Sequence, residues 1–275
     1  MRLAISGTGC QGKSTLIKDF LEEWPMYKTE SQTYRDVLTS EKLPHSKEAT
    51  KETQWRILNH MIDEMQTFNP GDNVIMDRCP IDNLVYSLWC FEKGVGDIDK
   101  EFIDKCIPLV CESLKNIDII FFTPITKAAP ITPVEDGVRE TDSTYIKEID
   151  NLFKMIGAQH IENNGLNPFF PKEDAPGWIE VFGDRPVRIA MIKQYIDETG
   201  DLVGGWECAP EPDIVDPNNQ SVGDNEEAAA MKALIDDQQN AKVFEKDLAD
   251  QKQLIKDTLG DKEIDEINSL YNPKA

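Results

Sequence analysis

The chain has 275 residues, enough for a full α/β core with an extension, and a formal net charge of −22 from 51 acidic and 29 basic residues. Such a surface repels nucleic-acid phosphates and argues against a broad DNA- or RNA-binding face, while leaving room for a local cationic site for one small phosphorylated molecule. No stretch reaches transmembrane length, the six cysteines form no C-x-x-C pair, and three scattered histidines assemble no zinc spacing. Reduced thiols in a cytoplasmic protein without a membrane partner are therefore expected.

In chain order, Leu3 to Ser6 is a short apolar run that ends at a glycine and predicts a buried parallel strand, with no sign of a leader. Thr15 to Trp24 carries apolar residues at helical spacing, and Met26 to Thr29 suggests a weak second strand. Ser46 to Phe68 predicts one long amphipathic helix, closed by Pro70-Gly71-Asp72. Asn73 to Met76 predicts a strand that finishes at Asp77, followed by helices over Ile81 to Glu92 and Lys100 to Lys115. Ile117 to Phe122 is the clearest strand in the chain. Beyond the Pro-rich stretch from Thr123 to Asp136, the pattern predicts a helix from Thr144 to Gly157, a strand from Trp178 to Phe182 and a helix from Pro186 to Thr199.

Strands alternating with helices predict an α/β fold, a doubly wound parallel sheet of the P-loop NTPase, nucleotide-kinase-like kind, over residues 1–200. Residues 201–224 read as a linker, with prolines and acids, and 225–275 as an acidic helical extension. From Asp201 onward there are 18 acidic and 7 basic residues, and no arginine. The apolar stripe of Asn225 to Gly260 suits docking on the parent domain, with self-association or a protein partner as the alternatives.

Gly7-Thr8-Gly9-Cys10-Gln11-Gly12-Lys13-Ser14 satisfies G-x-x-x-x-G-K-[ST] directly after a strand and at the opening of a helix. Glycines let the backbone curl around phosphates, and the helix N-terminus adds partial positive charge. Gly7, Gly9, Cys10, Gln11, Gly12, Lys13, Ser14 and Thr15 are thus expected to hold ATP, with Lys13 at the β- and γ-phosphates and the Ser14 hydroxyl on Mg²⁺.

Asp77-Arg78-Cys79-Pro80-Ile81-Asp82 follows a strand, where open α/β sheets place their ligand crevice. Asp77 there can hold Mg²⁺ or take the acceptor hydroxyl proton, and Arg78 can clamp a phosphate. Arginine after Asp77, in place of the glutamate that activates water in motor ATPases, points away from that class. Glu30, after the weak strand, is the second candidate base, with Arg35 and Asp82 added as acceptor-binding candidates. Arg139 lies in a segment long enough to act as a lid over the transferred phosphoryl group. Arg185 is expected against the adenine ring, with Arg188 beside it.

In this order, GTGCQGKS, the segment from Glu30 to Arg35, MDRCPIDN, DGVRETD and IEVFGDRPVR resemble a P-loop kinase-like group. That group includes AAA-type ATPases, the nicotinamide riboside kinase domain of the NAD-biosynthesis regulators, and phage-encoded nucleotide kinase-like proteins. It is broadly similar to thymidylate and deoxynucleoside kinases. The resemblance covers about residues 1–197. It implies that the Asp77-Arg78 pair serves metal and acceptor binding and that the lid supplies arginine, here Arg139 with Lys127 and Lys147 as supplements.

The expected activity is transfer of the ATP γ-phosphoryl group to a nucleoside or (deoxy)nucleoside monophosphate, with Mg²⁺ as cofactor. The alternatives are a kinase of a modified base in DNA and a nucleotide-switched interaction protein or ATPase with no small-molecule acceptor.

Overall fold

The structure is a computed structural model, and its description covers residues 1–126, 142–162 and 167–204. Lys127 and Arg139 of the expected lid, nearly all of the expected linker and the whole acidic extension lie outside the described residues.

Four parallel strands form the sheet: β1 (Arg2–Ser6), β2 (Val74–Asp77), β3 (Ile119–Phe122) and β4 (Gly177–Glu180), in the order β2-β1-β3-β4. The register sets Ile5 opposite Asp77, Ser6 opposite Phe122, and Phe122 opposite Glu180, so the polar strand ends gather on one edge of the sheet. Because side chains alternate along a strand, each apolar run feeds two cores. On one face Leu3, Ile5, Ile75, Ile119 and Phe121 pack with Phe20 of α1 (Lys13–Glu23), Trp24, and Ile192 of α7 (Arg185–Ile192). On the other, the ring of Phe122 lies 5.5 Å from Phe153 of α6 (Ser143–Glu162) and 5.3 Å from Trp178 of β4. The helix α4 (Pro80–Lys93) leaves β2 and packs among α3 (Lys51–Gln66), α5 (Lys100–Leu114) and α6. Among the described residues no helix is long and apolar enough to cross a membrane.

Several elements differ from the sequence expectation, including α6, which runs to Glu162 rather than Gly157. The weak strand after Met26 shrinks to one bridged residue, Lys28, paired with Val74. Lys28 accepts from Ile75 N–H, but the next outward N–H of the ladder, that of Asp77, donates instead to the Glu30 side chain at 3.0 Å. A carboxylate thus takes the place of a backbone carbonyl and the pairing stops. Ser46 to Phe68 is not continuous: Ser46–Glu48 is a separate 3₁₀ turn, and α3 starts after Thr50, whose hydroxyl accepts from Thr53 N–H. The helix from Pro186 ends at Ile192 rather than Thr199: Gln194 and Tyr195 N–H groups reach back only three residues, to Met191 and Ile192, and further on the Asp197 carboxylate accepts from Thr199 and Asp201 N–H groups where the chain turns at Gly200 (φ 84°).

The helix α2 (Tyr34–Glu41) was not anticipated. Its start was legible in Thr33-x-x-Asp36, a capping box in which Thr33 N–H and hydroxyl both donate to Asp36 Oδ2 at 2.8 Å.

Gly157 of α6 faces the indole of Trp178, and a Cβ there would collide with that ring. Gly157→Ala is expected to cost about 1–3 kcal/mol through overpacking. The check is a denaturant titration, in which the midpoint falls with little change in slope.

Candidate functional site

The chain leaves β1 at Gly7 with φ 135°, and a Cβ there would sit 2.7 Å from Thr123 Oγ1 and 2.9 Å from the Thr123 carbonyl oxygen. Only glycine passes so close to the end of β3. The loop closes at Gly12 (φ 72°), which caps α1 without a side-chain bond, and the first turn of α1 carries no acid. The positive end of that helix is therefore left to an anion.

The loop is held from four directions. Gly7 N–H donates to Asp82 Oδ1 at 3.2 Å, and Gly7 O accepts from Arg78 Nη1 at 2.9 Å. Thr8 Oγ1 donates to the Ile146 carbonyl at 3.1 Å, and Gln11 O accepts from Arg188 Nη1 at 2.6 Å. Lys13 is buried and its Nζ donates to the Thr8 carbonyl of its own loop. Burial, helped by the nearby Arg78 charge, holds the Lys13 pKa well below its ordinary value. An incoming phosphate would reverse that penalty by pairing with the ammonium. Gly9 and Cys10 stand at the mouth of the adjoining cavity, and Thr15 is exposed on α1.

At the end of β2, Ser14 Oγ donates to Asp77 Oδ2 at 3.1 Å, and Arg35 Nη1 reaches the same carboxylate oxygen at 3.0 Å. Asp77 Oδ1 and Glu30 Oε2 are buried without a hydrogen-bond partner among the described residues. A hydroxyl beside a carboxylate with an unused buried oxygen is a hard-oxygen donor set that fits Mg²⁺. Burial is the largest cause of a Glu30 pKa raised to about 7, opposed by its bond from Asp77 N–H and reinforced by the Asp77 charge.

Arg78 and Asp82, expected as acceptor ligands, are bonded into the surrounding protein. The Arg78 guanidinium is buried, bonded to Gly7 O, Asp82 Oδ1 and Tyr86 Oη, and stacked between Tyr34 and Tyr86 at 5.1 and 4.9 Å. Asp82 accepts from Ser6 Oγ (2.6 Å), Gly7 N–H, Cys79 N–H and Arg78. Both edge the cavity, but their hydrogen bonds are spent within the protein. Arg185 turns away from the loop and binds Asp19 of α1 through Nε (2.9 Å) and Nη2 (2.5 Å), and it is Arg188, one turn on, that meets the phosphate loop. Arg139 lies outside the described residues.

Beside the loop, a cavity of about 360 Å³ opens between α2, α3, α4 and α6. Its walls are Tyr34, Leu38, Ile57, Met61, Tyr86 and Tyr145, with Gln54, Asn83, Arg35 and Lys42 as polar groups. Asn83 Nδ2 donates to Gln54 Oε1 at 2.6 Å and to its carbonyl at 3.1 Å, leaving Asn83 Oδ1 buried and without a partner among the described residues. Sequence reasoning passed over Gln54, Asn83 and Tyr86. Asn83 and Tyr86 lie within ten residues of Asp77 on α4, a proximity that offered a signal; Gln54 offered none.

Fold and loop together define a P-loop phosphate-binding α/β protein of nucleoside-kinase architecture. Residues 2–160 match the family model described as an AAA domain (AAA_28), and the chain belongs to that family. No curated protein matches. Among solved structures, deoxyadenosine kinase from M. mycoides with bound dATP is 13% identical, with 70% of this chain and 98% of that chain covered at a TM-score of 0.52. NadR protein in complex with NR is 18% identical, with 70% of this chain and 50% of that chain covered at a TM-score of 0.48, so the match spans about half the length of NadR.

Glu30 titrates near 4.5 in an unfolded chain and near 7 in the folded protein, so the folded state holds the extra proton between those values. The stability this group contributes is full below about pH 4.5 and is lost as pH rises through about 7. Glu30→Gln, which keeps an acceptor for Asp77 N–H, is expected to gain melting temperature relative to the parent between pH 5 and pH 8. Parallel melting curves for the two proteins across that range would contradict the assignment.

Proposed function

We propose that the chain transfers the γ-phosphoryl group of ATP to a hydroxyl of a nucleoside or nucleoside monophosphate. The observation that carries this reading is the cavity. It opens directly on the phosphate loop, its volume falls in the range of about 300–1,000 Å³ usual for small-molecule sites, and it combines aromatic walls with a buried amide pair. A planar base suits Tyr34, Tyr86 and Tyr145, whereas Gln54 and Asn83 offer the donors and acceptors that read a base edge.

In this reading the loop and the α1 N-terminus cradle the ATP phosphates, and Lys13 neutralises the charge passing to the leaving group. Ser14 and Asp77 would hold Mg²⁺, which when bound supplies electrostatic stabilisation of the phosphate oxygens. Of the two carboxylates, Glu30 is the better base. Each has one oxygen unspent, but the Glu30 pKa of about 7 is matched to neutral pH, while the other Asp77 oxygen is committed to Ser14 and Arg35. The acceptor hydroxyl would give its proton to Glu30 as its oxygen bonds to the γ-phosphorus and the bridging bond to ADP breaks. Arg78 and Asp82 position the loop against the cavity wall. Catalysis of this kind rests on positioning and fixed charge.

The test is a panel of nucleosides and nucleoside monophosphates incubated with Mg-ATP, with products read by mass spectrometry. Absence of any phosphorylated product sinks the proposal, and product on an oligonucleotide alone would favour a base within DNA as acceptor. With an acceptor in hand, Lys13→Ala is expected to lower kcat by about a thousandfold. Asn83→Ala should instead raise KM for the acceptor and leave KM for ATP near its parent value. The parent kcat should rise with pH to a plateau above about 7, and Glu30→Gln should remove that limb.

A further inference from the structure

The two oxygens suited to a metal already share a cation. Arg35 Nη1 lies 3.0 Å from Asp77 Oδ2 and 3.3 Å from Ser14 Oγ, and those two oxygens are 3.1 Å apart. A magnesium ion sits about 2.0–2.1 Å from each oxygen it binds. A metal and a guanidinium nitrogen on this pair would bring two positive charges close together and compete for the same oxygens.

The two partners differ in freedom. Asp77 is fixed in β2 with its side chain 7% exposed, whereas the Arg35 side chain is 35% exposed. Arg35 stands in the first turn of α2, and that turn is capped by Thr33 and Asp36 without help from the guanidinium. Only Val37 of α2 is buried, so little packing opposes a shift of this turn. Arg35 also borders the large cavity, which offers its side chain a second position. Without Arg35, Asp77 would keep a mostly buried charge whose second oxygen already has no partner among the described residues.

We propose that Arg35 is a stand-in for the metal: it neutralises Ser14 and Asp77 before loading and must give up both oxygens when a metal–nucleotide enters. The inference rests on the phosphotransferase reading and adds to it a side chain that sets how strongly nucleotide binding depends on Mg²⁺. Part of the metal's binding free energy is spent in displacing the arginine. Removing the arginine should therefore sharpen metal dependence rather than weaken it.

The experiment measures ADP affinity by calorimetry, with Mg²⁺ and with EDTA, for the parent, Arg35→Met, Arg35→Lys and Ser14→Ala. Arg35→Met is expected to raise the ratio of the two affinities by about tenfold, the scale of losing a hydrogen bond to a charged group. Arg35→Lys, with its charge kept and its fork lost, should fall between and serves if the methionine variant does not fold. A Mn²⁺ titration of the ADP complexes followed by electron paramagnetic resonance should move in the same direction. An unchanged or lowered ratio in folded variants overturns the proposal and leaves the phosphotransferase reading standing. If the parent ratio is no higher than that of Ser14→Ala, the metal site itself is absent and both readings fall.

Discussion

Arg78 and Asp82 meet at 2.9 Å with almost no exposure to solvent, and the phosphate loop hangs from that pair. Asp82 gathers the Ser6 hydroxyl and the Gly7 and Cys79 N–H groups, while Arg78 binds the Gly7 carbonyl and the Tyr86 hydroxyl. Removing one partner of such a pair typically costs about 3–5 kcal/mol, because the other charge stays buried. Arg78 reaches this position with φ 82°, a conformation worth about 1–3 kcal/mol of strain for a residue other than glycine. The surrounding bonds hold it there. One node thus ties the phosphate cradle to α4 and to Tyr86, an aromatic wall of the cavity, so both sides of the crevice share a common anchor.

The charge of the whole chain and the charge of the site have opposite signs. The net charge is −22, yet Arg35, Lys42 and Arg78 border the cavity and Lys13 lies beneath the loop. At physiological salt, fields from exposed acids fade over about 8 Å, whereas buried charges are screened much less. A phosphorylated ligand in the crevice therefore feels the local cations first. Extended nucleic acid would meet the acidic exterior as well, which is why the overall charge bears on the size of the ligand more than on its chemistry.

The parts of the site that were legible in the sequence are those built from contiguous residues. Gly7 to Ser14 needed no tertiary information, since strand, loop and helix start follow one another in the chain. Asp77 was readable as a strand end. Side-chain partners across the fold were not readable: Arg185 and Arg188 stand three residues apart on α7, yet the first binds the buried Asp19 of α1 and the second the Gln11 carbonyl. The cavity was not legible at all, because its walls come from four helices and its amide pair joins residues 29 apart. Asp82 was readable as a residue beside the crevice, but not the bonds that its carboxylate accepts. Of its four bonds, those from Ser6 Oγ and Gly7 N–H depend on the β1–β2 register, and those from Cys79 and Arg78 are local.

The Glu30 carboxylate that takes the Asp77 N–H has a consequence for solubility. Among the described residues β2 is an edge strand, and an open row of backbone donors there would offer a template to a strand from another molecule. Lys28 covers one part of that row and Glu30 the next. An approaching strand would have to displace a side chain and then bury its acid unpaired. The residue proposed to accept a proton thus also guards the edge of the sheet against unwanted association.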